Sequence, residues 1–237
     1  LSLVSVLDIE ISSDSFRFLT PSEDGMEIDI DTDETLTVEW LVNGQPQSGT
    51  VEFFTTRGAL SSPSATLNAN GRARVDIRSR TAGPAVVTAA VVDGPSTQRS
   101  LEFVATTPTQ VTAQASQFSV GRGEQSTVTA TVRDANDNPV KNALVSFVLE
   151  DVTGGAISNA AARTDSAGRA DTVYTAGQTT SATDGVRITA SVNNGALSDE
   201  VRLTVARREV FISIGTGNDI EEPTQADYSK EFSVRVT

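Results

Sequence analysis

Apolar residues recur at every second position along most of this chain, in short runs broken by Gly, Asn, Asp and Pro. Leu36, Val38, Trp40 and Val42 alternate with Thr37, Glu39 and Leu41, and Thr127 to Val132 reads Thr-Val-Thr-Ala-Thr-Val. A period of two puts alternate side chains on one face of a strand, so these runs predict half-buried β-strands. The phase places the sole Trp, Trp40, on the inward face of its strand. No long window shows apolar residues at spacings of three and four, so helix is not expected. Val6 to Ser12 is read as a first strand, and Pro21-Ser-Glu-Asp-Gly25 as a turn. Asn43-Gly44 and Asn70-Gly71 separate alternating runs and predict tight hairpins. Many short strands with such punctuation are the signature of a two-layered β-sandwich.

The pattern is written more than once. Val38-Glu-Trp-Leu-Val42 answers Val128-Thr-Ala-Thr-Val132, and Val51-Glu-Phe53 answers Val145-Ser-Phe147. Gly58-Ala-Leu60 matches Gly155-Ala-Ile157, Gly71-Arg-Ala73 matches Gly168-Arg-Ala170, and Val87-Thr-Ala89 matches Ile188-Thr-Ala190. Leu101-Glu-Phe-Val104 is aligned with Val201-Arg-Leu-Thr204. The period is roughly 100 residues, the size of one sandwich domain. Three units follow: residues 1–106, a divergent copy; 107–207; and 208–237, the start of a third copy. In this last unit Val210-Phe-Ile-Ser-Ile214 answers the strand opening at Val111, and Glu231 to Val236 answers Thr127 to Val132. Thr106-Thr-Pro108 and Ala206 to Glu209 are the expected linkers. The chain begins without Met and Leu1 to Leu7 lacks the features of a signal peptide, so it is taken as an excised fragment or a mature region.

Composition narrows the chemistry. Among 237 residues there is no Cys and no His, which removes disulfides, the commonest general base and the commonest transition-metal ligand. A Ser-His-Asp or Cys-His nucleophile cannot be assembled. The formal charge of −13 opposes nucleic acid and anionic lipid and suits cations such as calcium. No run is long enough to span a membrane as a helix. An enzyme is therefore not expected.

Three acidic stretches are candidates for cation binding. Asp29, Asp31 and Asp33 alternate, and on one strand face their like charges would repel unless solvent or a divalent cation, calcium above all, compensated them. A solvated face is the plainer reading. Asp134-Ala-Asn-Asp-Asn138 has oxygens at alternate positions, but Pro139 and Val145 stand where a calcium loop needs Gly and Glu, so a structural turn is expected. Gly215-Thr-Gly-Asn-Asp219 occurs once, and Asp219, Glu221 and Glu222 read as an acidic linker. Trp40 is assigned to the core rather than to sugar stacking, while the direction of Tyr174 is left open. The neighbouring pairs Asp199-Glu200 and Glu221-Glu222 point to opposite faces of a strand and do not suit glycosidase chemistry.

Taken together, Val132-Arg-Asp-Ala-Asn-Asp-Asn-Pro-Val140, Val145-Ser-Phe147, Thr164-Asp-Ser-Ala-Gly-Arg-Ala170 and Val186-Arg-Ile-Thr-Ala190 carry a resemblance. In that order they resemble the bacterial immunoglobulin-like domain of invasin- and intimin-type adhesins. The first unit resembles it in order of landmarks but lacks the Asp-rich turn. The resemblance implies an all-β chain of tandem immunoglobulin-like β-sandwiches ending in the first strands of an incomplete third. It implies a non-enzymatic, rod-like spacer of a bacterial cell-surface or secreted protein, presenting a distal binding module. The expected partners are neighbouring domains of the same chain and a host-cell or surface receptor, protein or glycan. Nucleic-acid binding and membrane insertion by this segment are not expected. The competing expectation is an accessory module of a secreted enzyme or matrix protein, binding carbohydrate through an exposed aromatic cluster.

Overall fold

Alternation in the sequence becomes alternation in exposure. Along Arg72–Arg78 the side chains of Ala73, Val75 and Ile77 are buried, and those of Arg74, Asp76 and Arg78 are exposed. The computed structural model describes residues 14–207 throughout, and beyond them the backbone of four strands. The strand expected over Val6 to Ser12 lies outside the described residues.

The first sandwich is built from β1 (Ser15–Thr20), β2 (Met26–Asp29), β3 (Glu34–Val42), β4 (Gln45–Pro46), β5 (Thr50–Thr55), β6 (Ala59–Leu60), β7 (Ser64–Thr66), β8 (Arg72–Arg78), β9 (Gly83–Val91) and β10 (Ser96–Val104). One sheet runs β1-β3-β8-β6, with β4 turned back on β3, and the other runs β2-β10-β9-β5-β7. The second sandwich comprises β11 (Gln110–Ala115), β12 (Ser119–Gly121), β13 (Gln125–Arg133), β14 (Leu144–Glu150), β15 (Ala156–Ile157), β16 (Ala161–Arg163), β17 (Arg169–Thr175), β18 (Val186–Val192) and β19 (Leu197–Ala206). Its sheets run β11-β13-β17-β15 and β12-β19-β18-β14-β16. Without β4 the two topologies are the same, down to the parallel pairing of β2 with β10 and of β12 with β19.

Each sandwich closes over its own core. Leu36, Val38 and Ile77 of one sheet meet Val51, Phe53, Val87 and Phe103 of the other. Trp40 packs against the margin of that core, edge-on to Phe16 at 6.5 Å between ring centroids. In the second domain Val128, Ala130 and Tyr174 meet Phe147, Ile188 and Leu203. Branched aliphatic side chains dominate, and full burial of each contributes about 1.5–3 kcal/mol.

The strand ladders correct two alignments. With Gly71 and Gly168 equivalent, Val38 lies opposite Ala73 and Ala130 opposite Ala170, so Val38 answers Ala130 and Trp40 answers Val132, two residues on from the sequence alignment. Phe53 lies opposite Ala89, and Phe147 opposite Ala190, as the repeat predicts. Leu101 then lies opposite Ala85, but it is Leu203, not Val201, that lies opposite the corresponding Val186. The last strands are thus offset by two residues from the sequence alignment. A slip of two leaves every side chain on its original face, so alternation could not reveal it.

Beyond Arg207, Ile212–Thr216 pairs antiparallel with Phe232–Val236, Ile212 opposite Val236. The opening strands of the second sandwich pair likewise, Val111 opposite Val132. Glu221–Thr224 and Asp227–Ser229 form a separate hairpin. Asp219 lies outside the described residues.

Two polar devices secure the second sandwich. At the edge strand β11, the Ala113 N–H donates to Asp199 Oδ2 at 2.8 Å, so a carboxylate from the facing sheet caps the open ladder. Deeper in, the fully buried Tyr174 hydroxyl donates to Asp151 Oδ2 at 3.1 Å. The same oxygen accepts from the Gly155 N–H at 2.7 Å and the Thr153 hydroxyl at 2.9 Å. Burial pushes the Asp151 carboxyl up, but the donors of Thr153, Gly155 and Tyr174 together hold it below its ordinary value of 3.8. Burial and the Asp151 charge push the Tyr174 phenol up to about 12, against the pull of Thr153.

The signs follow. The depressed Asp151 stabilises the fold above its ordinary value and loses that contribution as pH falls below 3.8. The raised Tyr174 stabilises it below 10.0 and loses that contribution as pH rises toward about 12. Tyr174→Phe should destabilise the second sandwich by about 2 kcal/mol, the worth of a hydrogen bond to a charged acceptor. It should also remove the share of the alkaline loss that Tyr174 causes. Urea titrations at several pH values check both, with circular dichroism following both domains and Trp40 fluorescence the first alone.

Candidate functional site

The turn from Arg133 to Val140 is built by its own side chains. Asp134 Oδ1 accepts from the N–H groups of Asn136 and Asn138, each at 2.8 Å, and Asp137 takes a left-handed φ of 67°. Gly168, in the turn that carries the chain from β16 to β17, has φ 73°, and a Cβ there would stand 2.6 Å from the Val132 carbonyl oxygen. Glycine lets that turn close against Pro139. A structural turn is what the sequence assigns to Asp134-Ala-Asn-Asp-Asn138.

The turn has a further use that the sequence did not disclose. Asn138 is only 6% exposed, and its amide reaches into the first sandwich. Oδ1 accepts from the Ala82 N–H at 3.0 Å, while Nδ2 donates to the Arg80 carbonyl at 3.2 Å and to Asp134 Oδ2 at 2.9 Å. Three residues on, Lys141 Nζ lies 2.8 Å from Glu27 Oε1 and also pairs with Glu102. Those two carboxylates sit side by side because β2 and β10 run parallel with Glu27 opposite Glu102. Lys141 is one of only two lysines in the chain. Between these polar contacts Ala105 is buried, bridges to Val140 and accepts from the Lys141 N–H. Ile30 and Ala82 of the first sandwich pack on the second core.

Each charge supports the other. The hydrogen bond to Glu102, then that to Glu27, holds the Lys141 ammonium above its ordinary 10.5 against the opposing effect of burial. The Lys141 hydrogen bond holds Glu102 below its ordinary 4.5, again against burial, with lesser help from the Ser166 hydroxyl. The ion pair is therefore whole between those two values. It weakens as pH falls below 4.5, where Glu102 protonates, or rises beyond 10.5, where Lys141 loses its proton.

The three aspartates of the first unit do not share a strand face. β2 ends at Asp29, and Asp31 turns away with a left-handed φ of 62°. Asp31 faces Arg78 at 3.5 Å and Arg80 at 3.9 Å, and Asp33 faces Arg78 at 4.0 Å. Arginines thus supply the positive charge that the sequence alone left open to a cation. A cleft of about 260 Å³ beside the joint brings Asp31 near Asp134, but Asp134 is occupied by Asn136 and Asn138. Among the described residues, no group of three or more Asp or Glu side chains is arranged to hold a metal ion. Asp199 and Glu200 diverge, as alternation requires: the first caps Ala113, and the second pairs with Arg202 and Arg187. Tyr174 is a core residue.

No family model matches the chain. Over 144 residues, 58% of its length, it is 33% identical to the inverse autotransporter adhesin YeeJ of Escherichia coli K12, of which it spans 6%. Among solved structures it is similar to Yersinia pseudotuberculosis InvD, with a TM-score of 0.58, 16% identity, and coverage of 89% of this chain and 66% of that one. It is also similar to the Escherichia coli adhesin FdeC, with a TM-score of 0.57, 18% identity, and coverage of 94% and 73%. Two cores in one topology and these likenesses agree: the chain has a tandem immunoglobulin-like β-sandwich fold, similar to that of InvD and FdeC.

Proposed function

We propose that this segment is a non-enzymatic, stiff spacer in the stalk of a bacterial surface adhesin, holding a receptor-binding module away from an outer-membrane anchor. The observation that carries this reading is the joint. Domains linked by a short peptide move relative to one another unless something fixes them. Here a buried amide and an ion pair reach across the boundary beside packed Ile30, Ala82 and Ala105. Such an investment in relative orientation suits a load-bearing or distance-setting element. The likeness to YeeJ supports an adhesin, and the chain's place as a small fraction of that protein's length supports a repeating part of a longer stalk.

A sugar-binding module would instead display a cluster of aromatic rings. The exposed aromatics among the described residues are Phe54 and Phe118, one in each sandwich. Tyr174 is consumed by the core.

Replacing residues 14–207 in the whole protein with two unrelated sandwiches of equal length should leave adhesion of intact cells unchanged, whereas deleting them should weaken it. Adhesion lost in the replacement would assign receptor contacts to this segment and end the spacer reading. Calcium is not required for the proposed stiffness. Thermal melts in millimolar calcium and in chelator should coincide, because stabilisation by a bound ion would appear as a shift in Tm.

A further inference from the structure

The exit face of the first sandwich, which receives the second, can be compared with the exit face of the second itself. The ladders fix the equivalence. With Leu203 in the place of Leu101, Glu102 corresponds to Thr204, and Ala105 corresponds to Arg207. Glu102 lies opposite Glu27, and Thr204 lies opposite Ser119. Where the first exit face presents two carboxylates, the second therefore presents two hydroxyls. Where the first buries a methyl group at Ala105, the second carries a guanidinium.

The loops differ as well. Counting from the equivalent glycines Gly71 and Gly168, the partners of Asn138 at Arg80 and Ala82 correspond to Gly177 and Thr179. Those two residues are tied to their own sandwich through other atoms. The Gly177 N–H donates to the Thr153 hydroxyl at 3.3 Å, and the Thr179 hydroxyl donates to the Thr153 carbonyl at 3.2 Å. A Cβ at Gly177 would stand 1.9 Å from that carbonyl oxygen, so this contact is tightly built. Ala82 is followed directly by Gly83, whereas Thr179 and the corresponding Asp184 are separated by residues 180–183. The entry face of the first sandwich also lacks the joint's other half. Pro46 occupies the place of Pro139, so Gln45 stands for Asn138, and Ser48 stands for Lys141.

We propose that the joint is an address: the exit face of the first sandwich accepts an entry turn carrying the Asn138–Lys141 pair, and the exit face of the second does not. The order of domains is then written into the faces that meet, and each joint of the stalk has its own partner chemistry. A turn bearing Lys finds two carboxylates on the first face. On the second face it would meet Ser119 and Thr204, whose hydroxyl already accepts from the Asp184 N–H at 2.9 Å, in place of the two carboxylates. Burying an ammonium without a counter-ion is costly, so discrimination comes as much from what the wrong face withholds as from what the right one offers. This inference rests on the stiff-spacer reading, but its test separates the two.

The chain has no Cys, so paired cysteines introduced for Arg74 and Asp171, both exposed, accept spin labels at known sites. Distance distributions between them report the first joint. A second series repeats residues 106–207 directly after Arg207 in the full chain and labels the Asp171 position in each copy. The native joint should give one narrow distribution, and the duplicated joint one at least twice as wide. Glu27→Ser with Glu102→Thr should broaden the native joint toward the duplicated one. Ser119→Glu, Thr204→Glu and Arg207→Ala in the leading copy should narrow the duplicated joint. Unchanged melting profiles would show that the cores are intact in each variant. A duplicated joint as narrow as the native one would overturn the address while leaving a stiff rod. A broad native joint would overturn the stiff-spacer reading itself.

Discussion

A side-chain amide withdrawn from water must have its hydrogen bonds replaced, and Asn138 replaces them on both sides of a domain boundary. Its oxygen takes a backbone N–H from the first sandwich, and its nitrogen gives to a carbonyl there and to Asp134 at home. If the boundary opens, the Ala82 N–H, the Arg80 carbonyl and the amide all need water in place of one another. A buried polar contact of this kind contributes little net free energy compared with a solvated one, but it penalises every orientation that leaves it unmade. Lys141 adds the same logic with charge. The apolar contacts of Ile30, Ala82 and Ala105 supply adhesion between the domains without choosing an angle. The polar groups choose it.

Most of the fold was legible because a sandwich is written in a code of period two. The phase of Leu36, Val38 and Trp40, the Asn43-Gly44 hairpin and the recurrence of Val-x-Phe are all local signals, and the ladders agree with them. The hairpin expected at Asn70-Gly71 is not one: β7 pairs with β5 and β8 with β3 and β6, so the chain crosses there from one sheet to the other. The same code hid the offset at the last strand, because Val201 and Leu203 face the same way and both are buried. Tyr174 was ambiguous for a related reason. Its neighbour Val173 is also apolar; Tyr174 turns inward in phase with the buried Ala170 and Thr172, and its hydroxyl finds Asp151 there.

The joint was scarcely legible. Asn138 reads as a turn residue, and it is one; its second task depends on the Arg80–Ala82 backbone, which has no side-chain signature. Lys141 gave a faint signal, being a rare lysine in an arginine-rich chain. Its partners Glu27 and Glu102 converge only because β2 pairs in parallel with β10, a relation no local pattern announces. The aspartates failed in the opposite sense. Asp29, Asp31 and Asp33 suggested a shared face by spacing alone, but the chain turns at Asp31 and the arginines of β8 and its following loop come to meet it.

The carboxylate of Asp199 laid against the edge of β11 matters most while tandem domains are being made. Similar sandwiches strung on one chain emerge close together, at an effective concentration of order millimolar, and an unpaired strand edge is an invitation to a neighbour's strand. An N–H already held by a carboxylate of its own domain offers an intruding carbonyl no vacancy. The acid, for its part, repels an acidic newcomer. One aspartate thereby helps keep sister domains from knitting into each other before each has closed, a hazard that grows with every copy added to the chain.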